Sequence, residues 1–279
     1  MTTPRRLFAT HALAAAAALS LLATAPLTAL AQAKGEVKIA LIASKSGPLE
    51  AYAKQTIVGF NLGLEYATGG TMVVAGKKLV VIEKDDQGKP DVGKNLLAQA
   101  YADDKADRTG RNSSQDAIAN AVALDKAGTS IVTLAQDNAF GKDGVKAFKE
   151  ALKKSKLVHE EYLPAATSDF TAAAQRIIEK LKDQPGRKVV WIIWAGGNPF
   201  KIADLDLKRY NIEIATGGNI LPAMTAYKQF PGMEGGLYYY FGIPKNKVNE
   251  WLVANHYTKF KAPPDFFTAG GMSSAIAIV

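Results

Sequence analysis

Short apolar runs alternate with amphipathic segments along most of this chain, the pattern of an α/β fold whose core is a doubly wound parallel sheet. The runs around Val37–Ile42, Leu79–Ile82, Ile131–Ala135 and Val189–Trp194 are nearly continuous, as strands buried on both faces must be. Between them, apolar residues recur every third or fourth position, and Gly, Asp and Asn gather at the junctions.

The first strand is expected over Glu36–Ala43 and a turn over Ser44–Leu49. A helix over Glu50–Thr68 has Ala53, Ile57, Phe60 and Leu64 on one face and ends at Gly69-Gly70. Lys78–Glu83 is the second strand, and Pro90 opens a second helix to Tyr101 at the position where its missing N–H costs nothing. A third strand should follow. Instead Asp103–Asp107 runs into the polar stretch Arg108–Ser114, and a helix over Gln115–Lys126 comes next.

Alternation then resumes. Ile131, Val132, Leu134 and Ala135 form a strand, Gln136–Gly141 a loop, and Val145, Phe148 and Leu152 the inner face of a helix. A strand at Leu157–Leu163, a helix at Asp169–Lys182 capped by Ser168, and a strand at Lys188–Trp194 follow. A helix over Phe200–Tyr210, a strand over Glu213–Thr216, a tyrosine-rich strand over Gly236–Phe241 and a helix over Asn246–Phe260 complete the regular part. The last segment, Phe266–Val279, ends in Ala-Ile-Ala-Ile-Val, and the core it would join looks incomplete.

Residues 1–33 read as a secretory signal. Arg5 and Arg6 precede an alanine-rich apolar stretch, Ala12–Ala25, with a small-x-small cleavage pattern ending at Ala33. Arg5-Arg6-Leu7-Phe8 partly resembles a twin-arginine signal, while an ordinary signal is the commoner explanation. The stretch is short and poor in bulky residues for a membrane span. With no cysteine anywhere, disulfides, thiolate metal sites and a lipid-anchored mature end are excluded. The formal charge of +8 is spread among short lysine-rich helices, which argues against a nucleic-acid partner.

No enzyme constellation emerges, and no metal or cofactor is called for. His159 and His256 lack metal-ligand spacing, and Asp85-Asp86 suits a turn better than an acid/base pair. The Gly70–Lys78 stretch misses phosphate-loop spacing, and neither G-x-G-x-x-G nor G-x-S-x-G occurs. What recurs is strand ends that open into small or polar loops: Gln136–Gly141, Ala195–Asn198 and Gly217–Asn219. Ligands bind beyond the carboxyl ends of such strands. Phe140, Trp194, Asn198 and Asn219 are therefore expected to line a small-molecule pocket, faced by Tyr52 and the Ser44–Leu49 turn.

LIASKSGPLEAYAKQTIVGFNLGLEY (residues 41–66) resembles the opening of the type I periplasmic solute-binding proteins of the branched-chain amino acid ABC transporter family. Ala75–Leu79 followed by Lys84–Asp86, Arg108–Gly110, Asp137–Gly144 and Trp194–Gly197 are similar to that family as well. The resemblance implies two α/β lobes joined by hinge strands: a first lobe from residues 34–113 and 241–279, and a second from 114–240. It implies a periplasmic receptor, not an enzyme, that closes over an amino acid or small organic acid, aromatic acids included, and delivers it to a membrane ABC permease. A sensory receptor domain of the same fold is the alternative.

On that resemblance Ser46, Leu49 and Tyr52 supply first-lobe contacts, and Phe140, Trp194, Ala195, Gly196, Asn198 and Asn219 the second-lobe wall. Phe140 stands where the family usually has Tyr. The acidic residue that often meets the ligand ammonium near Asn219 is absent, which makes an aromatic or aliphatic carboxylate without an amine a serious alternative to an amino acid. The family also places a strand, a carboxylate-binding serine loop, a helix and another strand between Asp107 and Arg108, and it continues beyond Val279. The chain is thus expected to be an internally deleted and C-terminally short form with an incomplete first lobe, an open edge on the strand at Val37–Ala43, and weak ligand binding or none.

Overall fold

A computed structural model describes residues 35–100, 102, 113–196, 200–230 and 232–279. The expected signal peptide, the Asp107–Arg108 junction and Asn198 lie outside the described residues. Two mostly parallel sheets carry the fold, each with its own core.

The larger sheet has five parallel strands in the order β5-β4-β6-β7-β8. They are β4 (Thr129–Gln136), β5 (Lys156–Leu163), β6 (Arg187–Ile193), β7 (Ile212–Thr216) and β8 (Glu234–Gly235). All eight positions of β4 are buried, as its unbroken apolar run requires for a central strand covered on both faces. On one face α3 (Ser113–Leu124) and α4 (Ala139–Ala151) bury Ala117, Ala121, Val145 and Phe148 against Ile131, Val189 and Trp191. The Phe148 and Trp191 rings stack at 3.8 Å. On the other face α5 (Thr171–Leu181) and two 3-10 turns pack Ile177, Leu181, Ile202 and Leu207 on Val132, Leu134 and Val190.

The smaller sheet has three strands in the order β1-β3-β2. β1 (Glu36–Ala43) and β3 (Lys77–Asp85) pair in parallel along their full lengths, and β2 (Val73–Val74) makes a hairpin with β3. The hairpin turns on Ala75 and Gly76, both at positive φ, the two-residue geometry that suits strand twist. That is what the stretch weighed as a phosphate loop builds. Among the described strands β1 pairs only with β3, so it is an edge; Val37 is exposed there while Ile39 and Leu41 are buried.

Helices α1 (Glu50–Ala67) and α8 (Phe266–Ile278) cover the smaller sheet, with Phe60, Leu64 and Ala275 against Ile39, Leu41 and Leu79, and α7 (Lys247–Phe260) packs on them. Leu62, Leu252 and Met272 pack between the three helices. The last segment thus finds its core in α1. The two backbones touch: a Cβ on Gly59 would lie 1.9 Å from the Thr268 carbonyl oxygen, and one on Gly271 2.2 Å from that of Thr56. Only glycine permits so close a crossing. The remaining helices are α2 (Pro90–Gln99) and α6 (Leu221–Tyr227).

Three sequence expectations need correction, and one helix is new. Gly236–Phe241 is not a strand; the short strand is Glu234–Gly235, and the tyrosines are claimed by tertiary contacts, Tyr238 donating to the Asp116 carbonyl and Tyr239 to Asn249 Oδ1 at 2.7 Å. Phe200–Tyr210 is two 3-10 turns broken at Asp206, which sits at φ 55°. The helix expected from Asp169 begins at Thr171, and its cap position is Phe170, not Ser168, with no side-chain cap bond; just before it Asp169 accepts from the Thr171 N–H at 2.9 Å. Helix α6, a stretch to which the sequence reading assigns no element, follows the expected Gly217–Asn219 loop.

Candidate functional site

Between the carboxyl ends of the two sheets lies a cleft of about 650 Å³. From the smaller sheet it is lined by the turn after β1 (Ser44, Pro48, Leu49), by Tyr52, Ala53 and Thr56 of α1, and by Asp86 after β3. From the larger sheet come Gln136, Asn138 and Phe140 after β4, Trp194 and Ala195 after β6, and Gly217-Gly218 after β7. Phe266 and Phe267 close one side.

The loops that shape this wall are held by side chains of the strands that precede them. Gln136, buried at the end of β4, donates from Nε2 to the Ala195 carbonyl at 2.8 Å and accepts the Ala195 N–H on Oε1 at 3.2 Å. This two-point hold fixes the chain just after Trp194. Asn138 caps α4 by accepting the Gly141 N–H at 3.0 Å, which sets Phe140 in the first turn at the rim. The Trp194 ring meets Phe170 edge-on at 5.5 Å, and Tyr52 stacks with Phe267 at 4.9 Å. Gly196 is where the two sides approach most tightly on this edge: at φ 86°, a Cβ there would come within 3.2 Å of Pro48.

Of the residues expected from sequence, Leu49, Tyr52, Phe140, Trp194 and Ala195 line this cleft. Gly196 and Asn219 line a smaller adjoining cavity of about 140 Å³, together with Tyr52, Trp194, Thr216 and Tyr227. There Asn219 is buried and engaged, accepting from the Tyr227 hydroxyl at 2.7 Å and from Thr216 at 3.2 Å while donating to the Gly236 carbonyl at 3.2 Å. It braces the loop. Ser46 stands apart: its hydroxyl donates to Asp85 Oδ2 at 2.8 Å, and Ser44 takes the place at the cleft. The hydrogen bonds from the Gln87 N–H and Ser46 hold the Asp85 carboxyl below the usual range, so the pair stabilises the turn.

Sequence reasoning missed two carboxylates. Asp86 and Asp116 both line the cleft, and no lysine, arginine or histidine does among the described residues. Asp86 Oδ1 accepts from Ser44 at 2.6 Å and from the Gly88 N–H at 2.9 Å. Asp116 lies in the first turn of α3, and its carbonyl is held by Asn120 at 2.8 Å and Tyr238 at 3.0 Å. Asp86 carried a signal, being the polar end of a strand in a parallel sheet. Asp116 carried none, since nothing in its own segment says that α3 faces the turn after β3. Among the described residues no group of His, Asp or Glu side chains forms a metal site, and no helix is long and apolar enough to cross a membrane.

A cleft between two parallel-sheet units, lined from the strand ends of both, is the arrangement of solute receptors, and the comparisons agree. The periplasmic binding protein family matches residues 36–128 and 108–279, two overlapping pieces that cover all but the N-terminal part of the chain. The chain belongs to that family. It is 54% identical to an ABC-type branched-chain amino acid transporter protein of Rhodopseudomonas palustris, covering 86% of this chain and 78% of that one, with a TM-score of 0.71. Two more distant structures share the periplasmic binding protein fold. One is a solute-binding protein of a Rhodopseudomonas palustris ABC transporter in complex with benzoate, 20% identical over 86% of this chain and 79% of that one, TM-score 0.69. The other is a leucine-binding protein of Thermotoga maritima, 17% identical over 87% and 81%, TM-score 0.64. No curated protein matches. The two-lobed periplasmic binding protein fold and the role of solute-binding component of ABC transporters follow, a receptor family and not an enzyme class. The family match breaks into its two pieces over residues 108–128, beside the place where the sequence reading located a missing segment.

Proposed function

We propose that this periplasmic binding protein is the receptor of an ABC importer for a small solute carrying an ammonium group, an amino acid with an apolar side chain. The observation that carries this reading is the cleft's polarity. Its walls are Tyr52, Phe140, Trp194 and Phe266, and Asp86 and Asp116 are the charged residues that line it among the described residues. An apolar cavity with two carboxylates suits a cationic head on an apolar body. In this reading Asp116 of α3 takes the role of the acid that is absent near Asn219. The branched-chain amino acid description of the 54%-identical relative points the same way.

In this reading the lobes are residues 34–113 with 241–279 and residues 114–240, and the solute stabilises their closed arrangement, which a membrane permease recognises. The chain works in the periplasm after export on residues 1–33. With β1 an edge among the described strands, this reading gives the first lobe a shortened wall, and affinity is expected weaker than micromolar.

Isothermal titration with leucine, with 4-methylpentanoate (leucine without its amine) and with benzoate tests this. Leucine is expected to bind saturably and the amine-free acid at least about tenfold more weakly. Tighter binding of either plain acid would overturn the ammonium assignment. No saturable leucine binding up to millimolar concentration would overturn the receptor reading for apolar amino acids. Affinity at or below micromolar would show that the shortened lobe needs no further wall.

A further inference from the structure

The carboxylate of Asp265, just before the cleft-lining Phe266 and Phe267, joins the two lobes. It is buried, 5% exposed, at the N-terminus of α8, where Oδ1 accepts the Phe266 N–H at 2.7 Å. Oδ2 accepts from Gln55 Nε2 of α1 at 3.1 Å and from the Leu221 N–H at 2.9 Å. Helices α1 and α8 pack on the three-stranded sheet, whereas Leu221 is the first residue of α6, which follows β7 of the five-stranded sheet. One oxygen of a buried charge is thus shared between a donor from each lobe.

Such a charge is sensitive to losing a donor, because a desolvated carboxylate without its partners is costly. A movement that withdraws Leu221 leaves Oδ2 with Gln55 alone. The Leu221 N–H is itself an orphan of a helix start and needs an acceptor. Both groups are satisfied together only while the lobes are as they stand here.

We propose that Asp265 is a positioning residue that latches the lobes in the closed arrangement, its bond to the Leu221 N–H being the part that opening breaks. The idea rests on the hinge-closure reading above, but it concerns the balance between open and closed forms in the absence of solute.

Two substitutions remove the bond from opposite sides. Leu221→Pro deletes the donor; the position is the first of a helix, and Ile220 before it is already extended (φ −92°, ψ 157°), so proline fits both constraints. Asp265→Asn puts an N–H where an acceptor was needed. Gln55 can accommodate it by turning its amide, since its Oε1 is buried without a hydrogen-bond partner, so the loss falls on a backbone N–H. The chain has no cysteine, so spin labels at Lys54→Cys on α1 and Glu179→Cys on α5 report the interlobe distance uniquely. In solute-free protein, Leu221→Pro and Asp265→Asn are each expected to move the distance distribution to longer values, with the closed population falling about tenfold relative to the open one. Circular dichroism confirms which variants are folded, and two independent routes guard against one failing to fold. Distances unchanged in either folded variant would overturn the latch. Failure of leucine to shift the unsubstituted protein's distances would instead count against the binding reading and leave the latch standing.

Discussion

The two sheets solve the problem of covering a parallel sheet in different ways. The five-stranded sheet is sandwiched between α3 and α4 on one side and α5 with two 3-10 turns on the other, and its central strand is buried at every position. The three-stranded sheet buries Ile39, Leu41 and Leu79 beneath α1 and α8, leaves β1 as an edge, and takes much of its cohesion from the glycine-mediated contact between those helices. A full sandwich spreads its stability over many side chains. A short sheet under helices that touch backbone to backbone concentrates it at a few positions where no atom can be added.

The contrast can be broken most severely from the larger side. Phe148 is fully buried and stacked on Trp191, so Phe148→Ala is expected to cost about 4 kcal/mol in urea unfolding followed by tryptophan fluorescence. A loss below about 2 kcal/mol would mean the sandwich relaxes around the cavity better than its packing implies. In the smaller lobe the sensitive change is the opposite one. Gly59→Ala adds a single methyl against the Thr268 carbonyl and is expected to destabilise by about 3 kcal/mol, with the proteolytic sensitivity of α1 and α8 rising first. Tolerance of alanine there would show that the helices slide apart without harm.

A third test uses pH. Burial would push the Glu161 carboxyl up, but hydrogen bonds from Arg176, at 2.5 Å, and then from His159, at 3.0 Å, outweigh it and hold it below its ordinary 4.5. A lowered native value adds stability that is present above about pH 4.5 and is lost as the pH falls through that native value. Thermal melts of the five-stranded lobe should therefore fall off in that acid range, and Glu161→Gln should flatten the dependence. An unchanged acid slope in the variant would assign the loss to other carboxylates. The smallest effect is expected at the β1 edge. Val37→Lys, at an exposed position, should change stability by no more than about 0.5 kcal/mol while reducing concentration-dependent aggregation. Unaltered aggregation would show that the edge is not its source.

Legibility follows the same division. Strands β4 and β6 were readable because burial on both faces forces an unbroken apolar run, and the cleft loops were readable because they end those strands. Leu49, Tyr52, Phe140, Trp194 and Ala195 line the cleft as expected. What escaped depends on partners distant in sequence. Tyr238 and Tyr239 have strand propensity, yet their hydroxyls serve α3 and α7. Asp116 of α3 lines the same cleft as Asp86 after β3, a meeting of segments distant in sequence, and Ser46 is absent from the lining, its hydroxyl bonded to Asp85. The touching of α1 and α8 is written in Gly59 and Gly271, 212 positions apart, and neither signals anything alone.

The three tryptophans fall one to each working part. Trp191 lies against Phe148 inside the larger lobe, Trp194 borders the cleft, and Trp251 meets Tyr66 edge-on at 5.2 Å on the helices of the smaller lobe. Variants that keep a single indole would turn the protein into three separate optical probes. Unfolding of either lobe and arrival of a solute could then be timed in one cuvette, with no dye attached.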